Sequence, residues 1–500
     1  MKLSQLVSGL AAVSGDLGKD PEVFGVRHDS RQVVAGDLFV TWKGEHRDGV
    51  EFAGEAIGRG AVAVLADRER PAGLDPAVPW LVVAAPRSRL AELGAALYGH
   101  PDRAMRLIGV TGTNGKSTTV ELVAAMLDAA GVRCGRIGTL GARFPGLDTA
   151  AIERTSPEAS DTYRLLAGMQ TLGAGAAAIE VSSHALVQGR VGGLAFDVGV
   201  FTNLTRDHLD FHADLEDYFA AKARLFDQLK PTGRAVICAD DPFGRRLLDR
   251  LPRVLSYGGA AAADAPRPDV SAARADFDPE GMRGEIRTPR GALAFHSPLL
   301  GRYNLDNILA AVAVGEALEL PHAAVAAGIA ATRPLPGRME PVRAGQSFPV
   351  LIDYAHTSAA LEAAIRSLRD LAGRKVVVVF GCGGDRDPGK RPLMGRVAGS
   401  LADLPIVTSD NPRSEDPLAI IAAVEEGLRA SGNTGYRVVP DRREAIRRAL
   451  AVAAQGNWAV LVAGKGHESV QIVGDQRLAF SDRDEIERAL LERPSGGTGG

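Results

Sequence analysis

The chain opens with Leu3, Leu6, Val7 and Leu10 at i, i+3, i+4 and i+7, one face of a helix. Ser4, Gln5, Ser8 and Gly9 interrupt any longer apolar run, so the segment reads as a short amphipathic helix and not as a secretion signal. Apolar runs at 37–44 and 61–67 then predict strands, 90–99 predicts a helix, and His100-Pro101-Asp102 predicts a connector. From 105 onward the pattern alternates. Strand-like runs at 105–110, 176–181, 197–203 and 234–240 have helical patterns between them, for example 118–131. Such alternation predicts α/β folding with a parallel sheet covered on both faces. The stretch 258–289 is expected to be loop and edge hairpin, and 332–340, with two prolines and a glycine, a linker. Strands are predicted again at 348–354, 375–381, 404–410 and 457–464, separated by helices that include 358–373 and 417–432. The tail 493–500 is expected to be disordered.

Composition narrows the class. The 500 residues are enough for two to four domains. With 58 Lys+Arg against 61 Asp+Glu the net charge is −3, which leaves no basic field for nucleic acid. The 58 glycines follow no fixed period, which excludes collagen-like repeats and fits loop-rich α/β enzymes. Cys134, Cys238 and Cys382 are few and far apart, so neither a disulfide framework nor a cysteine zinc site is expected, and a reducing cytoplasm is. No apolar run is long enough for membrane insertion.

The strongest chemical signal is Gly112-Thr113-Asn114-Gly115-Lys116-Ser117-Thr118, placed between an apolar strand and a helical pattern. Glycines let backbone N–H groups turn toward phosphate oxygens, and the helix N-terminus adds partial positive charge. Lys116 would reach the terminal phosphates and the Ser117 hydroxyl would meet Mg²⁺. Val110 stands where the usual phosphate loop has its first glycine.

In the last third, each predicted strand ends in a polar loop: 353–357, 381–386, 409–413 and 464–468. A parallel sheet would bring all four to its carboxyl edge, where Arg386, Arg413, Lys465 and Glu468 would meet a zwitterionic ligand. A dinucleotide loop at Gly381 is the competing reading, weakened by Arg386 in the place of the third glycine. In the middle third, Glu180 ends a strand and is placed for a hard cation. Asp207, His208, Asp210 and His212 allow zinc hydrolysis, magnesium and substrate contacts, or a structural polar cluster. By pattern alone Lys222 reads as a surface helix lysine.

Taken in order, DSR (29–31), GVTGTNGKST (109–118), EVSSHAL (180–186), NLTRDHLDFH (203–212), YFAAKARLF (218–226), LPGRME (335–340), DYAHT (353–357), GCGGDRD (381–387), DNPRSEDP (410–417) and GKGHE (464–468) resemble the Mur ligases, ATP-dependent amide-forming enzymes of peptidoglycan synthesis. The resemblance spans nearly the whole chain and is nearest to the members that add the third stem-peptide residue. It implies three domains: 1–102 for a UDP-sugar, 103–335 for ATP, and a Rossmann-like 336–492 for the amino acid.

Residue by residue, the resemblance implies that Ser30 and Glu45, His46 and Arg47 hold the UDP-sugar. It implies that Thr155, Ser156, Ser182, Gln188 and Arg190 hold the muramoyl dipeptide, Ser156 standing where a second threonine is common. Asn307 and Arg338 would contact nucleotide. Glu180, His208 and Lys222 would serve the metal, Lys222 as a carbamate, which reverses its pattern reading. Asp410, Asn411, Pro412 and Arg413, with Arg386, Gly464 and Glu468, would take a diamino acid.

The resemblance implies meso-diaminopimelate, because Asp410-Asn411-Pro412-Arg413 matches the form of this loop in ligases for that amino acid, and a guanidinium that grips a second carboxylate with two parallel bonds agrees with it. Lysine, ornithine or LL-diaminopimelate remain alternatives, as do another Mur or folylpolyglutamate-type ligase and a non-catalytic ATP-binding switch. The expected substrate is UDP-N-acetylmuramoyl-L-alanyl-D-glutamate, and the expected state a monomer.

Overall fold

A computed structural model describes residues 1–44, 47–147, 154–259 and 267–492. The expected tail, 493–500, lies outside these, as do Glu45 and His46. The first 100 residues form a five-stranded sheet in the order Ser14–Asp16, Trp80–Val82, Ala63–Ala66, Asp37–Val40, Gly25–Arg27. The last four run parallel and the first runs antiparallel. The opening helix, Leu3–Val7, buries the stripe read from its periodicity: Leu3, Leu6, Val7 and Leu10 are all buried. The His100–Asp102 connector contains a one-turn helix, Pro101–Ala104, that begins on proline.

The middle sheet has ten described strands. At its centre Arg106–Thr111 lies parallel between Ala176–Glu180 and Phe196–Phe201. In Ala176–Glu180, Ala176 and Ala178 face one apolar cluster while Ala177 and Ile179 face another. Period-two alternation thus buries both faces, as a doubly covered parallel sheet requires. The region expected as an edge hairpin is larger: Val270–Asp278, Gly281–Thr288 and Gly291–Ser297 form a three-stranded antiparallel edge. The third was not anticipated, because Gly291–Ser297 mixes small and polar residues on its exposed face.

The last sheet places Val350–Asp353, Trp458–Ala463, Lys375–Phe380, Leu404–Val407 and Arg437–Val438 side by side and parallel, with Glu340–Pro341 antiparallel at one edge. All four predicted strands are present. Their four polar loops leave the same edge, as the parallel register dictates. Among the described residues no helix is long and apolar enough to cross a membrane, and all three cysteines are free and buried.

The two joints between sheets differ in chemistry. Helix Pro86–Tyr98 packs on helix Ala159–Thr171, and one apolar cluster runs continuously from Leu3 to Leu225 across that joint. Gly94 permits the approach: a Cβ there would lie 3.1 Å from the Tyr163 side chain. The joint to the last sheet is more polar, with pairs such as Arg206–Asp387 and Arg302–Asp370 beside a small apolar contact of Leu300 and Tyr303 with the last domain's core. Polar, partly hydrated joints between domains permit relative motion more readily than apolar ones.

Candidate active site

The phosphate loop forms where strand Arg106–Thr111 runs into helix Lys116–Ala129. Gly112 and Gly115 have φ of +144° and +89°, and both are crowded. A Cβ on Gly112 would sit 1.8 Å from Thr202 Oγ1, and one on Gly115 2.3 Å from Asn307 Oδ1. Glycine is therefore required at both by conformation and by space. The loop is tied to the next strand end: Asn203 O accepts from Thr113 N–H at 2.9 Å, and Asn203 Oδ1 accepts from Asn114 N–H at 2.9 Å. Beside it lies a cavity of about 270 Å³ lined by Gly115, Ser117, Thr118, Asn307, Arg338 and Asp353, among others. The phosphate loop with its helix Lys116–Ala129 and helix Arg302–Ala317 supply the first four, and the C-terminal segment the last two. Arg338 lies over the Tyr354 ring at 4.9 Å, with Nη2 3.5 Å from Ser117 Oγ.

Two lysines meet at one atom. Gly112 O accepts from Lys116 Nζ at 2.9 Å and from Lys222 Nζ at 2.8 Å. Lys222 is buried, which corrects the surface-lysine pattern reading. Helix Leu215–Ala223 simply turns that position inward. Burial, the Lys116 cation beside it and only partial relief from Asp207 hold the Lys222 ammonium far below the ordinary lysine range. Burial also lowers Lys116, Arg338 adds to it, and Glu180 and Asp207 oppose.

Glu180 ends its strand with both oxygens in use, accepting from Thr139 N–H at 2.9 Å and Thr139 Oγ1 at 3.1 Å. Thr155 Oγ1 is 3.1 Å from Thr139 Oγ1. Ser156 Oγ donates to Glu180 O at 2.9 Å and is 3.3 Å from Ser182 Oγ. Arg190 donates to Ser156 O at 3.1 Å and, with Arg87, holds Gln188 Oε1. The five residues assigned to the dipeptide thus form one hydrogen-bonded patch next to Glu180. Its anchor, buried Glu158, accepts from Arg87 at 2.7 Å and was not read from the sequence. Nothing in a lone glutamate after Pro157 marks it as the hub of three arginines.

His208 stands at φ +55° beside His184 and Tyr218, with ring centroids 4.9 and 6.0 Å away. Burial is the main cause that lowers it to about 3, so its imidazole stays neutral at physiological pH. His212 is otherwise engaged, with Ser183 Oγ at 2.9 Å and Asp217 Oδ2 at 3.1 Å. Among the described residues no three His, Cys, Asp or Glu side chains gather as a metal cage, which removes the zinc reading. Magnesium fits better. The Ser117 hydroxyl and the Glu180 carboxylate are hard oxygen donors, and this ion commonly takes one or two protein oxygens plus phosphate and water. As a free amine Lys222 does not fit a metal; only its carbamate would.

In the first domain, Ser30 and Arg47 line a cavity of about 440 Å³ with His28, Trp42 and Arg154. Ser30 Oγ donates to Glu55 Oε2 at 2.7 Å.

At the carboxyl edge of the last sheet, Arg413 Nη1 donates to Gly384 O at 2.6 Å, and its backbone is pinned by Ile472 O and the Gly474 N–H. Arg386 lies near enough to Arg413 for the two cations to repel, while Asp410 and Glu468 attract Arg413. Glu468 Oε2 accepts from Asn411 Nδ2 at 2.7 Å and Lys465 Nζ at 3.0 Å. Lys465 is fully buried and also donates to Val470 O and Asn411 Oδ1, so it braces the loop instead of meeting a ligand, a correction to the expected convergence. Asp410, Asn411 and Pro412 are buried, and Gly464, at φ +114°, packs its α-carbon against the Asp410 carboxylate. These are not loosely solvated loops. Asp207, read from the sequence as part of the 207–212 polar cluster, meets His356 and Lys390, both unassigned from sequence, between the sheets: it lies 3.4 Å from His356 Nε2 and 3.6 Å from Lys390 Nζ.

The profile of the Mur ligase middle domain matches residues 110–315, that of the Mur ligase glutamate ligase domain 337–466, and that of the Mur ligase family catalytic domain 22–98. Relatives named UDP-N-acetylmuramoyl-L-alanyl-D-glutamate–2,6-diaminopimelate ligase are 45% identical in Geobacter metallireducens, covering 96% of both chains. The Synechococcus elongatus relative of that name is also 45% identical, covering 95% of both. The chain belongs to the Mur ligase family. It is therefore an ATP-dependent ligase. A solved structure of a ligase with that same name shares the fold at 33% identity with a TM-score of 0.64, covering 98% of this chain and 99% of its own. A MurF ligase from Thermotoga maritima in complex with ADP, 20% identical, has a TM-score of 0.66 over 94% of this chain and 96% of its own, a likeness of fold.

Proposed function

We propose that this Mur ligase joins meso-diaminopimelate to UDP-N-acetylmuramoyl-L-alanyl-D-glutamate at the expense of ATP. The observation that carries the reading is the Asp410–Arg413 loop. Its half-buried guanidinium shares a site with Arg386 and Glu468, giving two cations and an anion for a ligand with two carboxylates and two amines. Full-length relatives named for 2,6-diaminopimelate support it.

ATP phosphates lie on the 112–118 loop, with Asn307 and Arg338 along the nucleotide cavity. The UDP-sugar occupies the cavity of Ser30 and Arg47, and the dipeptide runs over the Thr155–Ser156–Ser182–Gln188–Arg190 patch toward Glu180. Its terminal carboxylate attacks the γ-phosphorus, the bond to the bridging oxygen breaks, and ADP leaves an acyl phosphate. The amine of the amino acid then attacks the acyl carbon and expels phosphate, losing a proton. Lys116 neutralises charge on the transferring group, and most of the catalysis is positioning. Mg²⁺, when bound, supplies further neutralisation of the phosphate oxygens, with Ser117, Glu180 and His208 as its protein contacts.

Lys222 is read as a carbamate in the working enzyme. Burial and the Lys116 cation disfavour its ammonium form, and the free amine nitrogen bonds the carbon of CO₂ and loses a proton. The product is an anion beside Lys116, so the neighbouring cation gains an ion-pair partner. The polar joint between middle and last sheets lets the third domain close and exclude water from the acyl phosphate. The test is phosphate release with UDP-muramoyl dipeptide and a panel of meso- and LL-diaminopimelate, lysine and ornithine. Release that needs both the dipeptide and meso-diaminopimelate is expected; equal rates with lysine would reject the amino-acid assignment.

A further inference from the structure

We infer that Arg206 and Asp387 are a positioning pair that couples the amino-acid loops of the last domain to the phosphate site of the middle one; this rests on the ligase reading above. Three consecutive residues after strand Phe196–Phe201 look in three directions. His208 turns toward His184 and Tyr218 on the phosphate side. Asp207 faces His356 and Lys390 of the last domain. Arg206 grips both oxygens of Asp387, Nε to Oδ2 at 2.9 Å and Nη2 to Oδ1 at 3.1 Å.

Asp387 is the buried partner, its side chain 6% exposed against 40% for Arg206. It also accepts from Gly389 N–H at 2.8 Å, which braces the turn into helix Lys390–Leu401. The guanidinium packs against this turn: a Cβ on Gly389 would stand 2.3 Å from Arg206 Nη2. A side chain there would push the Arg206 guanidinium from its present position.

The turn belongs to a rigid body. Asp385 N–H donates to Glu415 Oε1 at 2.6 Å, Arg391 donates to the same oxygen at 2.7 Å, and Ser414 Oγ donates to Asp385 at 2.6 Å. Arg413 itself holds Gly384 O. The loops that carry Arg386 and Arg413 therefore move together, and Arg206 is the middle domain's bidentate hold on them. An apolar contact of Leu300 and Tyr303 with the core of the last domain holds the joint at one point, and the orientation-specific fork at Arg206 adds the directional constraint that fixes where the bound amino acid lies relative to Lys116 and Glu180.

Three variants test the pair: Arg206→Ala, Arg206→Lys, and Asp387→Asn, which keeps an acceptor for Gly389 while losing the charge. For Arg206→Ala, which strands the buried Asp387, and for Asp387→Asn, which removes the charge that the fork grips, KM for meso-diaminopimelate should rise about tenfold or more. KM for ATP and the UDP-dipeptide, and the single-turnover yield of ADP without amino acid, should stay within about twofold, since uniform binding elsewhere is untouched. Arg206→Lys should recover part of the loss. An unchanged KM for the amino acid, or an equal rise in all three KM values, would overturn the proposal. Should wild type accept lysine in place of diaminopimelate, only the functional reading fails, and the same comparison runs with lysine. Small-angle scattering needs no substrate: Arg206→Asp should give a more extended ligand-free protein, and an unchanged profile would also overturn the pair.

Discussion

Arg413 offers the sharpest test of substrate choice. Its backbone has φ +53°, held by Ile472 O at 3.1 Å and the Gly474 N–H at 2.7 Å. Alanine or lysine at this position faces the same left-handed backbone cost, so Arg413→Ala and Arg413→Lys isolate the side chain. The guanidinium is half-buried and spends one nitrogen on Gly384 O. The rest of its fork is free to pair with a carboxylate, and Asp410 and Glu468 flank it without hydrogen-bonding it. Breaking a desolvated, bidentate carboxylate pair costs about 2–5 kcal/mol. At about 1.4 kcal/mol per tenfold, that is a loss of roughly 30- to 4,000-fold in kcat/KM for meso-diaminopimelate. Lysine lacks the distal carboxylate, so its already low rate should barely change and the ratio between the two amino acids should collapse. The assay is phosphate release with each amino acid at saturating ATP and UDP-dipeptide. If Arg413→Ala loses less than about threefold with meso-diaminopimelate, or loses equally with both amino acids, the pairing argument is wrong.

Lys116→Ala should abolish turnover and leave the thermal unfolding profile intact, because its ammonium bonds only loop carbonyls; near-normal phosphate release in a folded variant would refute the phosphate-loop reading. Lys222→Ala should also be inactive and unrescued by bicarbonate, because no amine remains to carry the carbamate; phosphate release near the wild-type rate in a folded variant would refute the carbamate reading. Arg442→Ala should destabilise the last domain by about 3–5 kcal/mol, measured by denaturant unfolding, because it strands the fully buried Asp482 carboxylate that it holds through two 2.7 Å bonds. For the histidines the sign follows from their lowered values, about 4 for His184 and His467 and about 3 for His208. The unfolded chain takes up protons from about pH 6.5 downward while the native chain does not, so ligand-free stability should fall as pH drops from about 6.5 toward 4. A flat unfolding midpoint across that window would refute the burial of these rings.

Local information was enough for much of this protein. The phosphate loop is legible because its parts are contiguous: an apolar strand, two glycines, Lys116 and Ser117, and a helix. The four strands of the last sheet, and the common edge of their loops, follow from short apolar runs between helical patterns, since parallel strands must all point one way. Even the buried stripe of the first helix was set by spacing alone.

What the chain order did not contain was which residues meet across it. Lys222 lies 110 positions from Gly112, and only the fold places its ammonium on the carbonyl that Lys116 also uses. Glu158 gathers arginines from positions 87, 154 and 190, and Arg206 reaches 181 residues ahead to Asp387. Lys465 looked like a ligand because it sits in a polar loop, but packing gave it three internal acceptors and no exposure. Periodicity reports which face of an element is apolar, a property of near neighbours. A charge's role depends on its desolvation and its partners, and those exist only once distant segments have packed together.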